Sequence, residues 1–115
     1  MYEIIYYESF SENPVIDFIS NQYPKEQAKI LREIDLLQTF GISLGMPHLR
    51  KIKNTELWEL RIIHGNNIFR ILFKDLDKST YLLLHGFQKK QDKTPKKEID
   101  IALKRLKEYL EGGDR

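Results

Sequence analysis

At 115 residues, 41% hydrophobic and 31% charged, the chain has the size and composition of one ordinary globular domain, which excludes disordered and fibrous classes. It has no cysteine, so disulfides and thiolate metal sites are excluded and a reducing compartment fits. Its net charge of +2 hides an asymmetry: residues 1–40 carry seven acids against three bases, leaving +6 on the remainder. A polyanion-binding side has this footprint, although many small soluble domains are equally lopsided.

The N-terminal Met1-Tyr2-Glu3-Ile4-Ile5 lacks the basic and apolar regions of a signal peptide. No apolar run approaches the roughly 20 residues that span a bilayer. A soluble cytoplasmic protein without membrane contact is expected. One domain over 1–111 and a short C-terminal tail over 112–115 account for the chain, with no repeat or linker.

Tyr2–Tyr7 is rich in β-branched and aromatic residues and predicts a first strand. Ser11 suits a helix cap, and Pro14 suits the first turn of a helix carrying Val15, Ile16, Phe18 and Ile19. Pro24 interrupts that stripe. A second helix is predicted over about Lys25–Phe40, with Ala28, Leu31, Ile34, Leu36 and Leu37 at mostly helical spacing and Gly41 as its stop. The two helices read as an antiparallel hairpin.

From Gly45 the period changes to two. His48–Ile52 is a possible short strand; Leu57–Ile63 and Ile68–Phe73 are strands joined by the turn signal His64-Gly65-Asn66-Asn67. Asp75–Ser79 makes the next turn, and Thr80–Phe87 is a further strand. Thr94 as cap and Pro95 at the first helical position open a last helix, with Ile99, Ala102, Leu103, Leu106, Tyr109 and Leu110 apolar. The order β-α-α-β-β-β-α gives an α+β domain: a twisted antiparallel sheet packed on helices, with one face free to meet solvent.

With Gly65-Asn66 central in the hairpin, Arg61 stands opposite Arg70. Trp58, Leu60, Ile62, Phe69, Ile71 and Phe73 then face one way, and Glu59, Arg61, Arg70 and Lys74 the other. Paired arginines are costly unless an anion or acid lies between them. An even-length turn before the next strand places Tyr81, Leu83 and His85 on the arginine face; an odd one reverses this. Arg61, Arg70 and His85 then converge on an exposed sheet face. Guanidinium forks match phosphate, and histidine can move protons, so together they suit phosphodiester cleavage without a metal. The alternative is ordinary exposed arginines neutralised by Glu56 or Glu59.

His85–Lys97 carries five lysines against one aspartate and feeds the last helix. Lysines oppose the dipole at a helix N-terminus, which favours an anion held between them and the free N–H groups, or simply a solvated loop. Phe87 either stacks on a base or fills the core. Arg50-Lys51-Ile52-Lys53 is a second basic cluster, lining the same groove or solubilising an edge strand. His48, His64 and His85 lack metal-ligand spacing, and no glycine-rich phosphate loop occurs.

The segment Gly45-Met46-Pro47-His48, the run Leu57-Trp58-Glu59-Leu60-Arg61, the pair Phe69-Arg70, and Leu84-His85-Gly86-Phe87 followed by Lys89-Lys90 and Lys93-Thr94-Pro95-Lys96-Lys97-Glu98-Ile99 resemble, in that order, the phage-derived HigB-type branch of the RelE/ParE toxin superfamily. The resemblance covers nearly the whole chain and implies a RelE-like fold. It also implies a ribosome-dependent mRNA endoribonuclease that drives 2′-OH attack to a 2′,3′-cyclic phosphate, needs no metal or cofactor, and inhibits translation. By similarity, Arg61 and Arg70 bind the scissile phosphate and His85 is an acid or base. Lys51, Lys53, Lys89, Lys90 and Lys93 contact RNA or ribosome. The implied partners are ribosome and mRNA, a HigA-like helix-turn-helix antitoxin, and operator DNA through that antitoxin only. Some RelE relatives carry a tyrosine where this chain has Phe87. Two other readings stay open: a ParE-like inhibitor of gyrase, and a non-catalytic regulatory binding module. An exposed Arg70 is expected to be removable with little loss of stability.

Overall fold

The computed structural model describes residues 1–89 and 92–112. Lys90 and the expected tail beyond Gly112 lie outside the described residues. The elements run β1 (Glu3–Tyr6), α1 (Pro14–Ser20), α2 (Pro24–Phe40), a 3-10 turn (Gly41–Leu44), β2 (Leu49–Lys51), β3 (Trp58–His64), β4 (Asn67–Asp77), β5 (Thr80–Gln88) and α3 (Lys96–Leu110).

The hairpin register is as the sequence predicts. Arg61 pairs with Arg70, Ile62 with Phe69 and His64 with Asn67 across β3 and β4. Leu60, Ile62, Phe69, Ile71 and Phe73 therefore join one core face, against Val15 and Ile19 of α1 and Ile30, Ile34 and Leu37 of α2. Gly41 stops α2 at φ 64°, where the Tyr81 hydroxyl accepts the Ile42 N–H at 3.1 Å. A Cβ on Gly41 would stand 2.5 Å from the Tyr2 ring, so backbone and space both ask for glycine there.

Four expectations change. The sheet is mixed rather than antiparallel: its order is β1-β5-β4-β3-β2, and β1 lies parallel to β5. The helices carry the chain from β1 to the opposite edge, leaving the β5 edge for β1 to complete. Second, the face away from α1 and α2 is covered. Ala102 and Leu106 of α3 pack on Leu57, Leu72, Leu82 and Leu84, with Ile99, Leu103 and Tyr109 at the margin, while Leu110 stays exposed. An amphipathic helix finds its partner there, so each sheet face carries a core.

Third, β5 has the opposite parity to the favoured one. Tyr81 and Leu83 belong to the α1/α2 core: Lys78 and Ser79 form an even turn between paired Asp77 and Thr80, but the register then slips at Leu76, so that Asp75 pairs with Tyr81 and Lys74 with Leu82. His85 still reaches the arginine side, through a bulge: Phe73 pairs with Leu83 and Leu72 with His85, so Leu84 is the extra residue. Fourth, the caps differ. Asn13 precedes α1 and Pro95 precedes α3, and Thr94 is turned to another use.

Candidate functional site

Glu59 is the centre of the arginine side. Alternation along β3 turns its carboxylate under α3, where it is fully buried. Three guanidinium groups from three adjacent strands surround it: Arg50 Nη2 of β2 at 3.6 Å, Arg61 Nε of β3 at 3.6 Å and Arg70 Nε of β4 at 3.5 Å, all from Oε2. The Thr94 hydroxyl donates to Oε1. An acid thus lies between the paired arginines, which removes the cross-strand cost and builds a buried ionic cluster.

A second layer closes over the cluster. Arg50 Nη2 and Arg70 Nη1 both donate to the Asp92 carbonyl, at 2.8 and 3.2 Å. The exposed Asp92 carboxylate lies 3.7 Å from Arg61 Nη2 and 3.9 Å from Arg50 Nη1. The segment before α3 is therefore pinned to β2 and β4 by arginine.

These arginines are not equally open. Arg70 is fully buried, which corrects the expectation of an exposed, freely removable arginine. Burial lowers its proton affinity, Glu59 works against that, and Arg61 and Arg50 add to the lowering. The Arg61 side chain keeps 12% of its surface and Arg50 keeps 30%. What can meet a ligand directly is Arg50 and Arg61, with Arg70 behind them.

Beside Arg50 opens a groove of about 380 Å³ between β2 and the start of α3. Lys51 and Lys53 line one wall and Lys93 the other, with Ile52 and Ile99 in its lining. The two basic clusters of the sequence therefore meet here. Lys51 donates to the Thr55 carbonyl and lies 6.0 Å from the Trp58 ring. Lys96 and Asp100, both exposed, form an i,i+4 pair at 2.9 Å on α3.

His85 has its own partners, both on α3. Its Nε2 is 2.7 Å from Glu98 Oε1, and its Nδ1 is 3.1 Å from Arg105 Nη1. Guanidinium has only donors, so Nδ1 accepts and the ring proton sits on Nε2, directed to the carboxylate. Both nitrogens are engaged by α3. Burial pushes the imidazole below its ordinary range, opposed by the Glu98 hydrogen bond and aided by Arg105. The expected convergence of His85 with Arg61 and Arg70 on an exposed face is thus replaced by separate clusters under α3.

Phe87, opposite Arg70 in the register, is buried and stacks on His85 at 5.4 Å between ring centres. It fills the core and is closed to a base. Lys89 continues past β5, its N–H donating to the Ile68 carbonyl at 3.3 Å.

Glu59, Thr94, Asp92, Glu98 and Arg105 hold these clusters together, and of these only Glu59 is marked by the sequence as a partner of the arginines. Glu59 was visible as a neutraliser and Arg50 as a cluster member. The rest are partners across 13 to 42 residues, which periodicity does not reveal.

Among the described residues, no helix is long and apolar enough to cross a membrane. No curated protein matches the chain significantly. Residues 17–107 match the profile described as Phage derived protein Gp49-like (DUF891). That span covers most of the chain, including α2, the arginine cluster and nearly all of α3. The chain belongs to the Gp49-like family of phage-derived proteins, a RelE-like, toxin-like family of toxin–antitoxin systems.

Proposed function

We propose that this protein is the toxin of a toxin–antitoxin pair and cuts mRNA on the ribosome, as the HigB-type resemblance implies. The observation that carries the reading is the pair of partly open guanidinium groups, Arg50 and Arg61, joined through Glu59 and Asp92, with Arg50 on a groove walled by Lys51, Lys53 and Lys93. Paired guanidinium donors complement a phosphodiester and the extra charge of its pentacoordinate transition state. Phosphates on either side of the cut bond are met by the lysines, with Lys89 and Lys90 as further RNA or ribosome contacts.

In this scheme Glu59 and Asp92 hold the arginines in place before substrate arrives. The exposed Asp92 carboxylate gives way to the scissile phosphate, which takes over its two guanidinium partners. Arg70 supports the pair from below. His85 acts by anchoring α3 to the sheet. The inhibitor is a helix-turn-helix antitoxin, which joins the complex to operator DNA.

A second reading has its own support. A burial-locked Arg70 and a His85 with both nitrogens engaged also suit a binding module that occupies a nucleic-acid or protein partner without cutting. One experiment separates them. Wild type and Arg61→Ala are expressed in cells and the 5′ ends of mRNA are mapped. The ribonuclease reading expects new 5′ ends inside coding regions with wild type and their loss with the variant. Growth arrest with intact transcripts would sink it, and accompanying DNA damage would point to gyrase.

A further inference from the structure

His48 is a histidine that the arginine site leaves unused, and its surroundings differ from those of His85. Its Nδ1 lies 2.8 Å from Glu33 Oε1 of α2. The Glu33 side chain is 11% exposed and that of His48 is 36% exposed, so a sheltered acid braces a ring that reaches solvent. An ionised carboxylate only accepts, which places the ring proton on Nδ1. Nε2 is left as an acceptor, with no polar partner among the described residues. In His85, by contrast, both nitrogens are engaged.

His48 is also tied to the phosphate-holding strand. The Arg61 N–H donates to the His48 carbonyl at 2.8 Å, immediately before the register in which Leu49 pairs with Leu60. The two residues share a cleft of about 170 Å³, which Lys29, Glu33, Pro47 and Ile63 also line. The charged groups at His48 are therefore Glu33 and Lys29 from α2 and Arg61 from β3. An imidazole with one nitrogen fixed by a carboxylate and the other open is the arrangement that accepts a proton from a hydroxyl.

We propose that His48, oriented by Glu33, is the general base of the site, a role that rests on the ribonuclease reading above. The ribose 2′-OH gives its proton to His48 Nε2 while its oxygen forms a bond to phosphorus. The bond from phosphorus to the 5′-oxygen breaks, and that oxygen leaves with the bonding pair and takes a proton from water. Arg61 holds the phosphate meanwhile. Glu33 is a positioning residue.

The test uses purified full-length protein, ribosomes programmed with a defined mRNA, and added imidazole. His48→Ala should cut about 10²–10⁴-fold more slowly than wild type, the range for a lost general base. Imidazole should restore the rate in proportion to its concentration, while wild type stays unchanged. His48→Asn keeps a donor for Glu33 and should be equally slow, which serves if the alanine variant fails to fold. A His48 variant that cuts at the wild-type rate overturns the assignment. So does a folded His48→Ala that is slow and unresponsive to imidazole. A wild type that cuts nothing overturns the ribonuclease reading itself, and this inference with it.

Discussion

Replacing Glu59 by glutamine tests the arginine cluster directly. The carboxylate is fully buried and lies 3.5–3.6 Å from three guanidinium groups, while Thr94 donates to its other oxygen. Glutamine keeps the shape and an acceptor for Thr94 but removes the charge. Arg70, fully buried, then faces Arg61 and Arg50 without the carboxylate that lay between the three guanidinium groups. Removing one partner of a buried ionic group costs about 3–5 kcal/mol, since charge is left uncompensated in a low-dielectric site. Against a total stability of roughly 5–15 kcal/mol this is a large part. For a domain of this size it lowers the melting temperature by on the order of 10–20 °C. Urea and thermal unfolding followed by circular dichroism read the loss. Adding Arg70→Met to Glu59→Gln should recover at least about 2 kcal/mol, because the stranded charge goes too. A Glu59→Gln protein that melts within about 3 °C of wild type would refute the cluster as a structural unit.

Three further outcomes follow from the same geometry. Gly86→Ala puts a Cβ 2.4 Å from the Phe18 ring, so overpacking should cost about 1–3 kcal/mol in urea unfolding. Burial holds the folded His85 below its ordinary value of 6.5, so the unfolded chain binds the proton first as pH falls. Stability from this group is therefore full above 6.5 and is lost as pH drops from there through the folded value; His85→Asn should flatten that part of the stability curve, and an unchanged slope would contradict it. Lys53→Gln with Lys93→Gln should weaken single-stranded RNA binding and reduce its salt slope by about 1.4, near 0.7 for each lost phosphate contact. Fluorescence anisotropy across a potassium chloride series checks this.

The hairpin was legible because a turn signal and strict alternation determine register together. Once Gly65-Asn66 is central, Arg61 must meet Arg70. The order of elements followed from changes of period. The pairing of β1 was hidden, because no local signal tells whether a first strand joins its neighbour or a strand some 80 residues on. His85 came to the arginine side for a reason the sequence does not carry, since the slip at Leu76 reverses the parity and the Leu84 bulge restores it. Arg70 illustrates the larger gap. Its charge argues for an exposed face, and only the arrival of Glu59, Asp92 and α3 makes a buried arginine tolerable. Thr94 looked like a helix cap and is a partner of Glu59 instead.

If the open arginines hold a phosphodiester for cleavage, as proposed, the ends of the cut RNA carry the mark of that chemistry. Purified protein is added to ribosomes carrying a defined mRNA in the decoding site, and the chemistry of the new RNA ends is determined. The expected result is a cut within that site, a 2′,3′-cyclic phosphate on the upstream product, and loss of both with an Arg61→Ala variant that circular dichroism shows to be folded at the assay temperature. An intact message in the presence of ribosome-bound wild-type protein would contradict it.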